Sequence, residues 1–291
     1  MTTGYLERLA ERSAAVGSVL CLGLDPDPAG LPDGFSRDLA GIEAFARLIV
    51  EAAAPYAAAV KPNLAFFEAY GSEGVAALER IRAAIPSDVL VVADAKRGDI
   101  GTTAARQAVA LFDGLGADAV TVNPYLGSEA VTPLIERSDR FAYLLCRTSN
   151  PGAGELQDLD VAAAPLAGAP AEPLYARVAR LASGWGPGGT VGLVVGATAP
   201  VELAAIRAIA PGLAFLVPGV GAQGGDAAPV MASGPAVAAP AGGRAGGGLL
   251  VNVSRGIAGA ANASIDGGPT HLGERLAQAA REWSRNLPVL P

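Results

Sequence analysis

Short apolar runs, each ending in a polar residue or in Gly or Pro, recur along this chain. Length, apolarity and flanking breakers together predict strands there. The runs are Val19–Leu24, Ala57–Lys61, Val89–Ala93, Ala119–Asn123, Phe141–Arg147, Val191–Gly196, Ala214–Pro218 and Leu249–Ser254. Between them, Ala-, Leu-, Glu- and Arg-rich stretches with helical spacing predict helices at Ile42–Ala54, Gly74–Ala84, Thr103–Leu115, Leu174–Ala182, Val201–Ile209 and Leu272–Trp283. Strands that are apolar almost throughout are buried on both faces, which suits a parallel sheet flanked by helices. Eight such strand-helix units fit a closed (β/α)8 TIM barrel of the α/β class better than an open sheet. The alternation runs the length of the chain, so residues 1–291 are expected to form one domain. Two stretches, 160–173 and 227–248, are rich in Ala, Gly and Pro without clear periodicity and are expected to be loops or weak helices. No repeat beyond the strand-helix alternation suggests a solenoid.

Composition narrows the chemistry. Among 291 residues there are one His and two Cys, so a multi-histidine zinc site, a Cys-rich cluster and a Ser-His-Asp triad lack raw material. His271 is expected at the surface. Cys21 and Cys146 both sit inside apolar runs and read as buried thiols of a reducing compartment, which implies the cytoplasm. The first residues, MTTGYLERLAERSAAVGSV, lack the basic-then-apolar order of a signal peptide, and no segment reaches the length of uninterrupted apolar sequence that crosses a bilayer. The sequons Asn252-Val-Ser254 and Asn262-Ala-Ser264 therefore carry no weight. A net charge of −7 argues against a nucleic-acid partner, while a small anionic ligand remains allowed because local charge governs it.

Barrel enzymes place their chemistry where strands end, and here the strand ends are polar. They carry Asp25, then Lys61 and Asn63, then Asp94, Lys96 and Asp99, then Asn123. Strand five ends in Arg147, Thr148, Ser149 and Asn150, strand seven leads to Pro218 and Gln223, and strand eight ends in Ser254 and Arg255. Any one of these could be a solvated loop charge; their joint placement points to a site. The densest group is VVADAKRGDIGTT, residues 91–103. The two-residue side-chain period of a strand projects Asp94 and Lys96 to one side, with Lys61 on the neighbouring strand able to join them. Alternating carboxylates and ammoniums keep each Lys protonated. A purely structural ion-pair network is the competing reading, but desolvating four charges is costly and is usually retained for another purpose. VPGVGAQGGD, residues 217–226, and VNVSRGI, residues 251–257, follow the last two strands, the usual phosphate site of this architecture. Gln223 and Arg255 are the candidate ligands. Gly219, Gly221 and Gly224 satisfy G-x-G-x-x-G, but in the wrong unit for a dinucleotide fold and with no acidic residue about 20 positions on.

Taken in order, CLGLDPDP, VKPNLAFFEAYG, VVADAKRGDIGTTA, TVNPYLG, RTSNPG, VVGAT, VPGVGAQGGD and VSRGI resemble the orotidine 5′-phosphate decarboxylases, in their longer bacterial branch, from about residue 19 to residue 257. The resemblance implies a (β/α)8 homodimer that converts orotidine 5′-phosphate to UMP and carbon dioxide, a step of pyrimidine synthesis, with no metal or organic cofactor. It implies that Lys96 donates a proton to C6 of the pyrimidine and that Asp94 lies beside the substrate carboxylate. Asp99 and Thr103 would reach the partner subunit's substrate, Asp25 and Lys61 the ribose hydroxyls, and Ser149 the base. Pro218 would close over the base, with Gln223 and Arg255 on the phosphate. Ser254 stands where many relatives carry Gly, and Arg244 in the 227–248 stretch is expected to be a loop charge. A magnesium-dependent sugar-phosphate decarboxylase or aldolase shares D-x-K-x-x-D, and a catalytically idle nucleotide-binding barrel would keep the phosphate loop; RTSNPG, KPN and an intact Lys96 favour the decarboxylase.

Overall fold

The computed structural model describes residues 3–162, 171–262 and 271–290. All eight expected strands form: β1 (Leu20–Leu24), β2 (Ala59–Pro62), β3 (Leu90–Arg97), β4 (Ala119–Val122), β5 (Phe141–Arg147), β6 (Val191–Val195), β7 (Ala214–Pro218) and β8 (Leu250–Val253). They run parallel and close in the order β1-β8-β7-β6-β5-β4-β3-β2, with β1 paired to β8 on one side and β2 on the other. This is a (β/α)8 TIM barrel.

The period of two divides each strand between two cores. Outward residues such as Leu22, Val60, Val91, Val120, Leu144, Leu193, Phe215 and Val251 pack on helix residues including Ile42, Phe45, Ile81, Leu134 and Ile206. Inward residues, among them Cys21, Ala59, Val92, Ala119, Tyr143, Val194, Leu216 and Leu250, fill the barrel's lower interior. Such two-sided burial is why the strands lack polar alternation until their last turns. The two free cysteines are buried, and His271 is exposed, as expected.

Five of the six expected helices form within about three residues of their predicted ends. The sixth, Thr103–Leu115, is instead a helix at Gly101–Ala108 that widens into a π-helical turn at Val109–Gly114. Of the longer remaining helices among the described residues, Tyr5–Val16 and Ser128–Ile135 had no sequence assignment, and Ala227–Ser233 lies in a stretch expected to be loop or weak helix. The first plugs the bottom of the barrel. Tyr5 stacks on Phe141 at 4.6 Å between ring centroids and shares a hydrogen bond with Tyr143 Oη at 3.1 Å. Arg8 pairs with Asp118 at 2.5 Å, and the other carboxylate oxygen of Asp118 accepts from the Val91 amide.

The ends of the 160–173 stretch are not helix or free loop: Asp160–Val161 and Glu172–Pro173 pair as a short antiparallel ladder, while residues 163–170 lie outside the described residues. Ser264 of the second sequon lies outside them too. The 227–248 stretch opens with its helix because the Asp226 side chain caps the amide of Ala228. Arg207, buried, fastens that helix by donating to the carbonyls of Ser233 and Gly234 as well as Ala210 and Leu213, with its guanidinium over Phe215. Arg244 bonds the Pro240 carbonyl at the surface, as a loop charge does.

Candidate active site

The last inward positions of several strands are polar, and they form the floor of a cavity of about 830 Å³ at the carboxyl ends of the strands. Eight of the ten expected site residues line it: Asp25, Lys61, Asp94, Lys96, Ser149, Pro218, Gln223 and Arg255. Asp94 is at the centre. Its Oδ2 accepts from Lys61 Nζ at 2.6 Å and its Oδ1 accepts from Lys96 Nζ at 2.6 Å. The two ammoniums differ in setting: the Lys61 side chain is 5% exposed and that of Lys96 is 51% exposed. Burial works to raise the Asp94 carboxyl, but the charges of Lys61 and then Lys96, with their hydrogen bonds, outweigh it and hold Asp94 well below the usual carboxylate range. For Lys61 burial works to lower the ammonium, and Asp94, followed by Asp25, overcomes it and lifts Lys61 above the usual lysine value. The floor therefore holds one fixed carboxylate between one buried and one solvent-reaching cation.

Register explains the arrangement. Ala93 pairs with Val120 and Arg97 with Val122, so residues 94–96 bulge opposite Thr121 alone. Lys96 sits in this bulge with φ of 47°. Thr121, absent from the sequence-based candidates, accepts the Lys96 amide at 2.9 Å and donates to Asp94 Oδ1 at 2.9 Å. Asn123, expected to supply the fourth strand's polar end, does not line the cavity: β4 ends at Val122, and the Asn123 side chain turns back to cap the Tyr125 amide. Arg147 is likewise excluded from the lining because its guanidinium is held by Asp158. Gln157, also unforeseen, lines the cavity and clamps Thr148, accepting from its amide at 2.8 Å. Asn252, on β8, completes the floor with an Oδ1 that is buried and has no partner.

The far wall is built from the loops after β5, β7 and β8. Gly219, at φ of 100°, approaches Ser149 so closely that a Cβ there would lie 2.9 Å from the serine Cβ, which brings the loops after β5 and β7 together. Trp283 of the C-terminal helix underlies the loops after β7 and β8: it donates to the Gly256 carbonyl, and a Cβ on Gly221 would lie 3.1 Å from its ring. Ser254 immediately precedes the short helix Arg255–Ala258 and does not line the cavity.

Asp99 and Thr103 are the two expected residues outside this lining. The Asp99 carboxylate accepts from the Ile100 amide at 2.7 Å, and Thr103 is exposed on the helix after β3. The loops following β3 and β4 also expose Ile100, Tyr125 and Leu126, at 61%, 81% and 52%. Among the described residues no three His, Cys, Asp or Glu side chains converge as a metal site, and no helix is long and apolar enough to cross a membrane.

Comparison with known proteins identifies the family and supports the fold. The profile of the orotidine 5′-phosphate decarboxylase / HUMPS family matches residues 18–265. The orotidine 5′-phosphate decarboxylase of Thermomicrobium roseum is 49% identical over 255 residues, 87% of this chain and 86% of that protein. The decarboxylase of Halorubrum lacusprofundi is 47% identical over 286 residues, 97% of this chain and 98% of that one. The solved structure of Leishmania donovani OMP decarboxylase superposes with a TM-score of 0.78 at 38% identity, covering 97% of each chain.

Proposed function

Because the chain belongs to the orotidine 5′-phosphate decarboxylase / HUMPS family, a family of enzymes, and its relatives at 44–49% identity are orotidine 5′-phosphate decarboxylases, we propose that it converts orotidine 5′-phosphate to UMP and carbon dioxide without a cofactor, with Lys96 as proton donor. The observation that carries this reading is Asp94 fixed between Lys61 and Lys96 on the floor of a cavity whose opposite wall presents Gln223 and Arg255.

Breaking the bond from C6 to the carboxylate leaves an electron pair in the ring plane, where the ring π system cannot take it up. Stabilisation must then come from localised charge. The Lys96 ammonium, already held by one hydrogen bond to Asp94 and reaching into the cavity, meets that electron pair and delivers a proton to C6, leaving a neutral amine that water reprotonates. Asp94 stays ionised throughout, since Lys61 holds its other oxygen, and it repels the substrate carboxylate before bond cleavage. One unit pair near 4 Å contributes on the order of 4 kcal/mol at an effective dielectric of 20, short of the roughly 8–23 kcal/mol enzymes supply. Phosphate and ribose contacts must add binding energy that is fully realised only in the transition state. Gln223 and Arg255 are assigned to the phosphate, Asp25 and Lys61 to the ribose, Ser149 and Pro218 to the base. Asp99, half-buried, and Thr103, exposed, lie near Ile100 and outside this cavity and are assigned to the site of a second copy, which makes a cytoplasmic homodimer the working form.

The test is loss of orotidylate absorbance with purified protein in excess EDTA, beside Lys96→Ala. Turnover that Lys96→Ala lowers by at least about 10²–10⁴-fold supports the assignment. A folded wild type without turnover overturns it and brings forward the magnesium-dependent sugar-phosphate reading.

A further inference from the structure

Lys96 is the one non-glycine residue with a positive φ among those described, at 47°. A lysine has no intrinsic preference for that left-handed conformation, so surrounding contacts must hold it. The bulge removes the ordinary contact: with Ala93 on Val120 and Arg97 on Val122, the Lys96 amide has lost its ladder partner. Thr121 replaces it. Its Oγ1 accepts the Lys96 amide, which leaves its single proton for Asp94 Oδ1, the same oxygen that accepts from Lys96 Nζ at 2.6 Å. Both ends of Lys96 are thus referred to one hydroxyl, directly at the backbone and through Asp94 at the ammonium. The threonine is itself fixed, 2% exposed on β4, where a branched side chain has little χ1 freedom and where Thr121 pairs in register with Tyr143.

We propose that Thr121 is a positioning residue for the proton donor, locking the strained Lys96 backbone and the Asp94 carboxylate into one geometry. The proposal rests on Lys96 and Asp94 being the reacting pair. Because the hydroxyl proton is committed to Asp94, Thr121 contributes to the placement of the ammonium and not to holding the substrate. Its loss therefore acts on kcat and leaves ground-state binding alone.

The experiment compares wild type, Thr121→Val, Thr121→Ser and Lys96→Ala for kcat and KM with orotidine 5′-phosphate, and for UMP affinity by calorimetry, with folding checked by thermal melts. Valine keeps the shape and removes both hydrogen bonds; serine keeps both. Thr121→Val is expected to lower kcat by about 10- to 100-fold, with KM and UMP affinity within about threefold of wild type, and Thr121→Ser to retain kcat within about threefold. Thr121→Ala carries the same readouts if the valine variant does not fold. A folded valine variant with kcat within about twofold of wild type, a parallel loss of UMP affinity, or a serine variant as impaired as valine each overturns the proposal. Normal turnover by Lys96→Ala would instead bring down the reading on which it rests.

Discussion

Asp94→Asn tests the charge array through stability as well as activity. The substitution keeps the shape and some hydrogen bonds but removes the carboxylate charge that lies 2.6 Å from the Lys61 ammonium, 5% exposed, and leaves Asp25 as the remaining carboxylate acting on it. Breaking a buried pair in this way costs about 3–5 kcal/mol. At about 2.1 cal/mol/K per residue, 291 residues give an unfolding entropy near 0.6 kcal/mol/K, so the melting temperature falls by about 5–8 °C at pH 7. The pH dependence supplies the sharper check. In the wild type the lowered Asp94 contributes stability that is present above the unfolded carboxyl value, about 3.9, and is lost as pH falls through the folded value. The raised Lys61 contributes stability that is full below the unfolded ammonium value, about 10.4, and is lost as pH rises through its folded value. Between those limits the pair is flat. In the variant, burial acts on Lys61 unopposed by Asp94 and favours the neutral amine, so stability rises with pH toward about 10.4. The difference in melting temperature between the two proteins, measured by scanning calorimetry from pH 6 to 9.5, is expected to narrow with rising pH. A deficit below about 1 kcal/mol at pH 7, or one that widens with pH, refutes the claim that Asp94 neutralises a buried Lys61.

Two further expectations follow from the proposed roles. Arg255→Ala lowers kcat/KM by about 10²–10³-fold with an unchanged melting temperature, because Arg255 lies on the cavity wall and its loss removes charge-assisted contacts without opening the core; unchanged kinetics in folded protein would refute the phosphate assignment. Mixing inactive Lys96→Ala with inactive Asp99→Ala and allowing subunits to exchange restores up to about a quarter of wild-type activity, since half the dimers are mixed and each has one site with both residues intact. No recovery by a mixture that light scattering shows to be dimeric would place Asp99 outside the partner's site.

The strands could be read from the sequence because a barrel strand packed on both faces is apolar at nearly every position, as in Leu20–Leu24 and Val191–Val195, and such runs need no tertiary information to stand out. The N-terminal helix could not be read so directly. Tyr5, Leu6 and Leu9 are its main buried apolar residues, set among Glu7, Arg8, Glu11 and Arg12, and only the barrel opening they fill gives that short stripe its meaning. Ser128–Ile135 carries an internal Pro133, and Ala227–Ser233 is held from outside by Arg207. Within the site, charged strand ends identified the rim, yet proximity to a strand end is not the same as facing the cavity. Asn123 and Arg147 lie at strand ends and face other partners. Thr121 and Asn252 were missed because a Thr or Asn two residues after an apolar inward position looks like ordinary strand sequence. The alternation Ala59-x-Lys61, Val92-x-Asp94, Ala119-x-Thr121 and Leu250-x-Asn252 was nevertheless in view, and its last inward member is the cavity floor in each case. The bulge that hands Lys96 to Thr121 has no such pattern, since it depends on β4 being in place.

That floor also explains why the barrel carries two lysines on one carboxylate. On the proposed reading, decarboxylation leaves the total charge in the cavity unchanged and moves it from the substrate carboxylate to C6. A site that lowered the energy of both positions equally would bind substrate more tightly without accelerating the reaction. Asp94 and Lys96 make the two positions unequal, the anion disfavouring charge at the carboxylate and the cation favouring it at C6. Asp94 can do so only while ionised next to another anion, and the buried Lys61 on its far oxygen keeps it so. Lys96, on the near oxygen with its side chain half exposed, is the one that reaches into the cavity. One cation secures the carboxylate and the other is left for chemistry, which is why neither lysine can substitute for the other.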